Sequence, residues 1–112
     1  VEGELASPSM VTLAGHTGEV AAYMGTYERS ADRVNGAPLF AKQLADGGKH
    51  YLYRTSRGAG GWMATNAESD MAANKGGVRA SSAADLPTEA GLGWQYADGG
   101  WQDDPSMMCS LL

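Results

Sequence analysis

Five glycine-bearing turn signals divide the chain into short aromatic and apolar runs, and no other feature constrains the fold as strongly. Glycine adopts positive φ without steric cost, and Asn or Asp before it tolerates the same region. Such pairs between strand-like runs are strong hairpin signals. The five signals are Asn35-Gly36, Asp46-Gly47-Gly48, Gly58-Ala59-Gly60-Gly61, Gly76-Gly77 and Asp98-Gly99-Gly100. We therefore predict an all-β fold.

The runs between these signals predict about eight short strands at a spacing near ten residues, which is typical of a small antiparallel sandwich or barrel. The strands are predicted at 10–14, 20–29, 39–44, 50–55, 62–66, 94–97, 101–102 and 107–112, with 77–81 as an optional short strand. Gly25 marks a bulge in the second strand. At most one short helix is expected, near 67–75, because no apolar period of 3.6 residues is sustained. Residues 1–9 are predicted to form an N-terminal arm and 10–112 a single β domain.

Composition limits the class of partner. The 112 residues fit one domain, and 43% of them are hydrophobic, which is enough for a core. The net charge of −5 argues against nucleic-acid binding, which needs a basic stripe, and favours a soluble, acidic surface. The single cysteine excludes an internal disulfide. No apolar stretch is long enough to predict a transmembrane segment.

The candidates for metal or nucleophilic chemistry are His16, His50 and Cys109, which are far apart in the sequence. A zinc site takes three or four such ligands from the protein. Cys109 lies in an apolar run, where a buried and unreactive thiol is expected. The segment 58–61 lacks the lysine of a phosphate-binding loop and the strand–helix context of a dinucleotide site. We expect no catalytic residue, no metal and no cofactor, and therefore no enzyme.

The chain carries nine aromatic residues, which serve either as the core or as binding anchors. Trp and Tyr bury large areas in a core, but they also stack on sugars and anchor protein interfaces. The hairpin around Asp98-Gly99-Gly100 places aromatics beside polar side chains. We therefore predict a partner-binding site at this hairpin, formed by Tyr96, Trp101, Gln102 and Asp103.

A short sequence motif occurs twice, near the two ends of the chain. Pro8-Ser9-Met10 recurs as Pro105-Ser106-Met107, an offset of 105 − 8 = 97 residues, and an apolar strand follows both copies. Either this is shared turn chemistry or the domain is one unit of a tandem array. Because the chain begins at Val1 rather than Met, it is either a processed form or a piece of a longer protein.

The order of the turn and aromatic motifs resembles an aromatic- and glycine-rich β module of algal and protist proteins, which often occurs in tandem. The resemblance covers about residues 19–107, and Phe40 stands where that module has Tyr. The matching segments are Tyr27-Glu28-Arg29, 35–40 (NGAPLF), 51–54 (YLYR), Gly61-Trp62-Met63, Pro87, 93–96 (GWQY) and Asp98-Gly99-Gly100-Trp101. The resemblance implies a β-rich interaction module and no catalytic residue.

These observations favour a non-enzymatic module that binds or scaffolds other protein subunits. One form of this function is a soluble accessory subunit of a large organellar complex, such as a photosynthetic one, located in a lumen or stroma after removal of a transit peptide. The alternative is a carbohydrate-binding module that uses exposed Trp or Tyr side chains. An exposed planar row of two or more aromatics distinguishes the alternative from the first hypothesis.

Overall fold

A computed structural model describes residues 9–18, 20–56, 61–80, 86–88 and 92–111 of the chain. Within them a single nine-stranded antiparallel sheet has the order β8-β7-β6-β5-β4-β3-β2-β1-β9. The strands are β1 (Met10–Ala14), β2 (Gly25–Val34), β3 (Ala37–Gln43), β4 (Lys49–Arg54), β5 (Trp62–Thr65), β6 (Val78–Ala80), β7 (Trp94–Ala97), β8 (Trp101–Asp103) and β9 (Met108–Leu111). The sheet curls into a half-barrel, which confirms the all-β antiparallel prediction. Residues 1–8 of the predicted arm lie outside the described residues.

Helical structure in the described ranges is limited to two short pieces. A 3-10 turn spans Ala21–Tyr23, and helix α1 spans Asp70–Ala73, inside the predicted stretch 67–75. The helix ends at Asn74, whose φ of 55° is left-handed and cannot continue a right-handed helix. No helix in this part of the chain is long and apolar enough to cross a membrane.

The β2–β3 turn forms at the predicted hairpin signal Asn35-Gly36. Asn35 and Gly36 have φ values of 53° and 81°, the two positive values that a type I′ hairpin needs. Gly47, Gly99 and Gly100 also have positive φ at their turns. Gly76 and Gly77, in the connection from α1 to β6, do not have positive φ, and a Cβ at Gly76 would overlap the Ala64 carbonyl oxygen. That glycine instead permits close backbone packing against β5.

The second strand was predicted with the wrong bounds, although its predicted residues 25–29 do lie in β2. Its expected first residues form the 3-10 turn, and β2 continues to Val34, well beyond the predicted end at Arg29. The register with β3 shifts between Arg29 and Arg33 rather than at Gly25. A bulge adds unpaired residues to one strand and bends it. Here it opens a cleft of about 270 Å³ lined by Arg29, Ser30, Ala31, Asp32, Arg33 and Pro38.

The concave side of the curl, which we call the inner face, holds the main core. Paired residues on adjacent strands share a face, so Phe40, Leu52, Ala64 and Val78 continue one another across β3 to β6. All four side chains are fully buried. Trp62, Trp94 and Tyr27 belong to the same cluster, so most of the large aromatic side chains serve as core.

A second, smaller cluster lies on the convex side, which we call the outer face. Leu39, Tyr53 and Met63 pack there with Met71 of α1. Alternation along β4 places Leu52 in the inner core and Tyr53 in the outer cluster. The Tyr53 hydroxyl donates to the Lys75 carbonyl at 2.7 Å and fixes the end of α1 against the sheet. Trp101 packs against this cluster from β8.

Candidate functional site

The β7–β8 hairpin divides the four predicted partner-binding residues between the two faces of the sheet. Tyr96 pairs with Gln102, and Ala97 pairs with Trp101. Since neighbouring residues of a strand point to opposite faces, Tyr96 and Gln102 share one face while Trp101 and Asp103 share the other. Tyr96 packs against the inner core, so it faces the interior of the curl. Only Trp101 and Asp103 lie together on the outer face.

On the outer face, a chain of polar contacts crosses three strands. The Arg79 Nε donates to Gln95 Oε1 at 2.8 Å, and the Gln95 Nε2 donates to Asp103 Oδ1 at 2.7 Å. The Arg79 guanidinium also lies 4.3 Å from the centre of the Trp101 ring, which is cation–π distance. We call Arg79, Gln95, Trp101 and Asp103 the β6–β8 surface.

Gln102 is exposed and points away from this surface. Its Nε2 donates to the Asp98 carbonyl at 3.4 Å, a contact within the hairpin itself. The sequence predicted Gln102 beside Trp101 from adjacency alone. Adjacent residues in a strand are the ones that do not share a face, so the two cannot contact one partner surface side by side.

His16, one of the three candidates for metal or nucleophilic chemistry, is buried and joins two distant segments. His16 Nδ1 lies 2.7 Å from Asp104 Oδ2, and the Val20 N–H donates to His16 Nε2 at 3.2 Å. Because Nε2 accepts, Nδ1 of the neutral ring carries the proton and donates to Asp104. The His16 ring also lies 4.5 Å from the Tyr96 ring. We call the His16–Asp104 contact the seam latch, since it joins the β1–β2 connection to the β8–β9 connection.

Ser106 lies beside the seam latch, but the Ser106, His16 and Asp104 side chains do not have the geometry of a nucleophilic triad. In a triad the hydroxyl bonds to the imidazole, and the carboxylate holds the other ring nitrogen. Here the Ser106 hydroxyl lies 2.6 Å from Asp104 Oδ1, and His16 Nε2 is occupied by a backbone N–H. The Ser106 and then the His16 hydrogen bonds hold the pKa of Asp104 below its usual value. The arrangement is suited to joining segments, and His16 has no nitrogen available to activate a hydroxyl.

The other two candidates for metal or nucleophilic chemistry are placed apart from the latch. Cys109 is buried on the inner face, as predicted, and burial raises its pKa to about 12. His50 is buried with its ring 4.6 Å from the Tyr23 ring, and its Nδ1 has no hydrogen-bond partner among the described residues. Burial, followed by the charge of Lys42, lowers the pKa of His50. No group of three or more His, Cys, Asp or Glu in the described ranges can hold a metal ion.

The surface aromatics bear on the carbohydrate hypothesis. All nine aromatic residues lie in the described ranges, and each is either buried or half-buried. Stacking on a sugar ring needs a platform with an open face. An exposed planar row of aromatics is therefore not found among these residues. The exposed large apolar side chains in this part of the chain are instead Met10 and Met108, on β1 and β9.

Comparisons of this chain with protein-family models, with curated proteins and with solved structures find no match. The functional argument therefore depends on the geometry of the chain itself.

Proposed function

We propose that this protein is a non-enzymatic interaction module that contacts another protein subunit through its β6–β8 surface. The observation that carries the proposal is the Arg79–Trp101 stack, joined through Gln95 to Asp103 at the last strand of the sheet. Arg and Trp are among the residue types that contribute most at protein interfaces. The pair offers both a planar apolar face and a polar rim.

The order already present in this surface supports the proposal. Binding loses free energy when long side chains must be immobilised, at about 0.5–1.5 kcal/mol for each. Arg79 is already held by its stack on Trp101 and by its hydrogen bond to Gln95. Trp101 is half-buried against the outer cluster, so its indole is fixed before any partner arrives. A partner would therefore meet a preorganised anchor.

The contacts made by the candidate nucleophiles also favour binding over catalysis. His16 uses both ring nitrogens in structural contacts, and Cys109 is buried with a raised pKa. A nucleophilic cysteine needs an accessible thiolate, which a raised pKa opposes. A role as an accessory subunit of a larger assembly is one form of the proposed function.

The experiment is affinity capture from an extract of the source cells, using the wild-type protein and variants of the β6–β8 surface. Arg79→Gln removes the stacked guanidinium, and Trp101→Ala removes its platform. Lys49→Gln is the matched control for charge, because Lys49 is exposed on β4. Met108→Ala is the control for apolar surface, since Met108 is 59% exposed on β9.

We expect both surface variants to lose the proteins that the wild type retains, while both controls keep them. Loss of a central anchor typically weakens binding about tenfold or more. Thermal unfolding of each variant is measured in parallel, because Trp101 also packs on the outer cluster. If folded Arg79→Gln retains every partner, the β6–β8 surface is not the binding surface.

A further inference from the structure

β8 is the last strand at one end of the described sheet, and its outer edge has a definite backbone polarity. The Asp104 N–H donates to the Trp94 carbonyl, and the Asp98 N–H donates to the Gly100 carbonyl. Hydrogen-bonded pairs alternate along an antiparallel ladder, so Gln102 is the residue between them that bonds to β7. Trp101 and Asp103 therefore direct their N–H and C=O groups away from β7. On that side β8 has no neighbouring strand among the described residues.

The side-chain relay on the outer face has a polarity too, and it ends at the same edge. Arg79 donates to Gln95, and Gln95 donates to Asp103, so every hydrogen bond runs in one direction. Asp103 is exposed, and its carboxylate only accepts. The Asp103 Oδ1 accepts the hydrogen bond from Gln95, and the Asp103 Oδ2 has no partner within the described part of the chain. The next group outward must therefore be a donor, and a cation suits a carboxylate best.

We propose that β8 binds an extended segment of a partner protein as a tenth strand, with a Lys or Arg of that segment beside Asp103. The proposal rests on the proposed function and names its partner more closely. Backbone groups of Trp101 and Asp103 would supply the ladder, as in other strand-addition interfaces. The Asp103 carboxylate would select the basic side chain.

Charge complementarity favours a basic segment over a second copy of this chain. The chain has a net charge of −5, so two copies repel. The hairpin itself carries Asp98, Asp103 and Asp104 and no Lys or Arg. Two β8 edges paired at Asp103 would bring like carboxylates opposite one another, which destabilises a strand pair.

The test uses two synthetic nine-residue peptides of alternating Thr and Val. One has Lys at its centre and the other has Glu. Binding to the full chain is followed by isotope-edited NMR, in which the amides of Trp101 and Asp103 report the edge. The amide of Gln102 is the internal control, because it already bonds to β7.

Asp103→Asn is the test variant, since it keeps the shape of the side chain and removes its charge. Asp98→Asn is the matched control, which removes the same charge from the tip of the hairpin. We expect the Lys peptide to protect the Trp101 and Asp103 amides from exchange and the Glu peptide to bind more weakly. Asp103→Asn should weaken Lys-peptide binding about threefold to fivefold, as for an exposed ion pair, and Asp98→Asn should not.

Three results would overturn this inference: equal binding of the two peptides, no binding of either, or self-association of the chain through β8. None of them would refute the proposed function. That function is tested by the capture experiment with Arg79→Gln, which removes a side-chain contact and leaves the backbone of β8 unchanged. If the capture experiment succeeds and the peptide experiment fails, the partner binds the face of the sheet and adds no strand.

Discussion

Replacing Gly15 with Ala should destabilise the protein far more than replacing Gly36, although both glycines have positive φ. Their φ values are 106° and 81°. A Cβ at Gly36 would meet nothing within 4 Å, whereas a Cβ at Gly15 would overlap the Ser106 carbonyl oxygen. Gly36→Ala therefore measures backbone strain alone. Gly15→Ala adds a collision with the connection between β8 and β9.

The magnitudes follow from these surroundings. A left-handed conformation costs a residue with a Cβ about 1–2 kcal/mol, partly offset because Ala restricts the unfolded chain. Gly36→Ala should thus lose about 1 kcal/mol. In Gly15→Ala the connection must also move, which weakens the Ser106 contact with the Gly15 carbonyl and the His16–Asp104 bond. At about 0.5–1.5 kcal/mol for each bond, the total loss is about 2–4 kcal/mol.

Urea denaturation followed by tryptophan fluorescence measures both losses, and thermal unfolding checks them. At about 4–8 °C for each kcal/mol, Gly36→Ala should lower Tm by about 5 °C and Gly15→Ala by about 10–20 °C. Equal losses in the two variants would refute the reasoning, because they would show that the β8–β9 connection does not press on Gly15.

Three further predictions concern titratable groups. Cys109 should react with a thiol reagent in native buffer only as fast as the protein unfolds, because it is buried and its pKa is raised to about 12. The pKa of Asp104 is lower in the folded protein than in the unfolded chain. The Asp104 carboxylate therefore stabilises the fold above its ordinary pKa, and this stabilisation is lost as pH falls through the pKa of the folded state. The difference in stability between wild type and Asp104→Asn should narrow in acid. Burial, and then the charge of Lys42, lower the pKa of His50. The unfolded chain therefore takes up a proton at His50 before the folded protein does, so wild type should lose stability relative to His50→Phe as pH falls below about 6.5. Denaturation curves at a series of pH values test the last two.

Local signals in the sequence predicted the strands and several turns, because those signals act over two to four residues. Asn35-Gly36 specifies its turn through backbone sterics alone, and no distant contact can override that requirement. At Gly76 a similar signal has a different physical cause, since the φ of this glycine is not positive. A glycine that permits close packing has the same sequence signature as a glycine that permits positive φ. Only the position of Ala64 distinguishes the two cases.

The division of the predicted site between two faces could have been deduced from the sequence. A three-residue connection at Asp98-Gly99-Gly100 pairs Ala97 with Trp101. Tyr96 then pairs with Gln102, and strand alternation places that pair opposite Trp101. Arg79 could not have been found in this way, since its place beside Trp101 depends on the order of three strands. The sequence separates these two residues by a stretch that contains no periodic signal.

The seam latch explains why one edge of β8 has no neighbouring strand within the described ranges. The connection from β8 to β9 has only four residues, 104–107, a length that commonly joins paired strands in a hairpin. Here Asp104 instead bonds to His16, and the Met107 N–H donates to the Asp104 carbonyl, so the connection turns toward the β1–β2 loop. β9 then pairs with β1 rather than with β8. The contact that joins the two ends of the sheet is thus made by side chains and not by a ladder. For that reason no described strand pairs with the outward backbone groups of Trp101 and Asp103, which are the groups that the proposed partner strand would use.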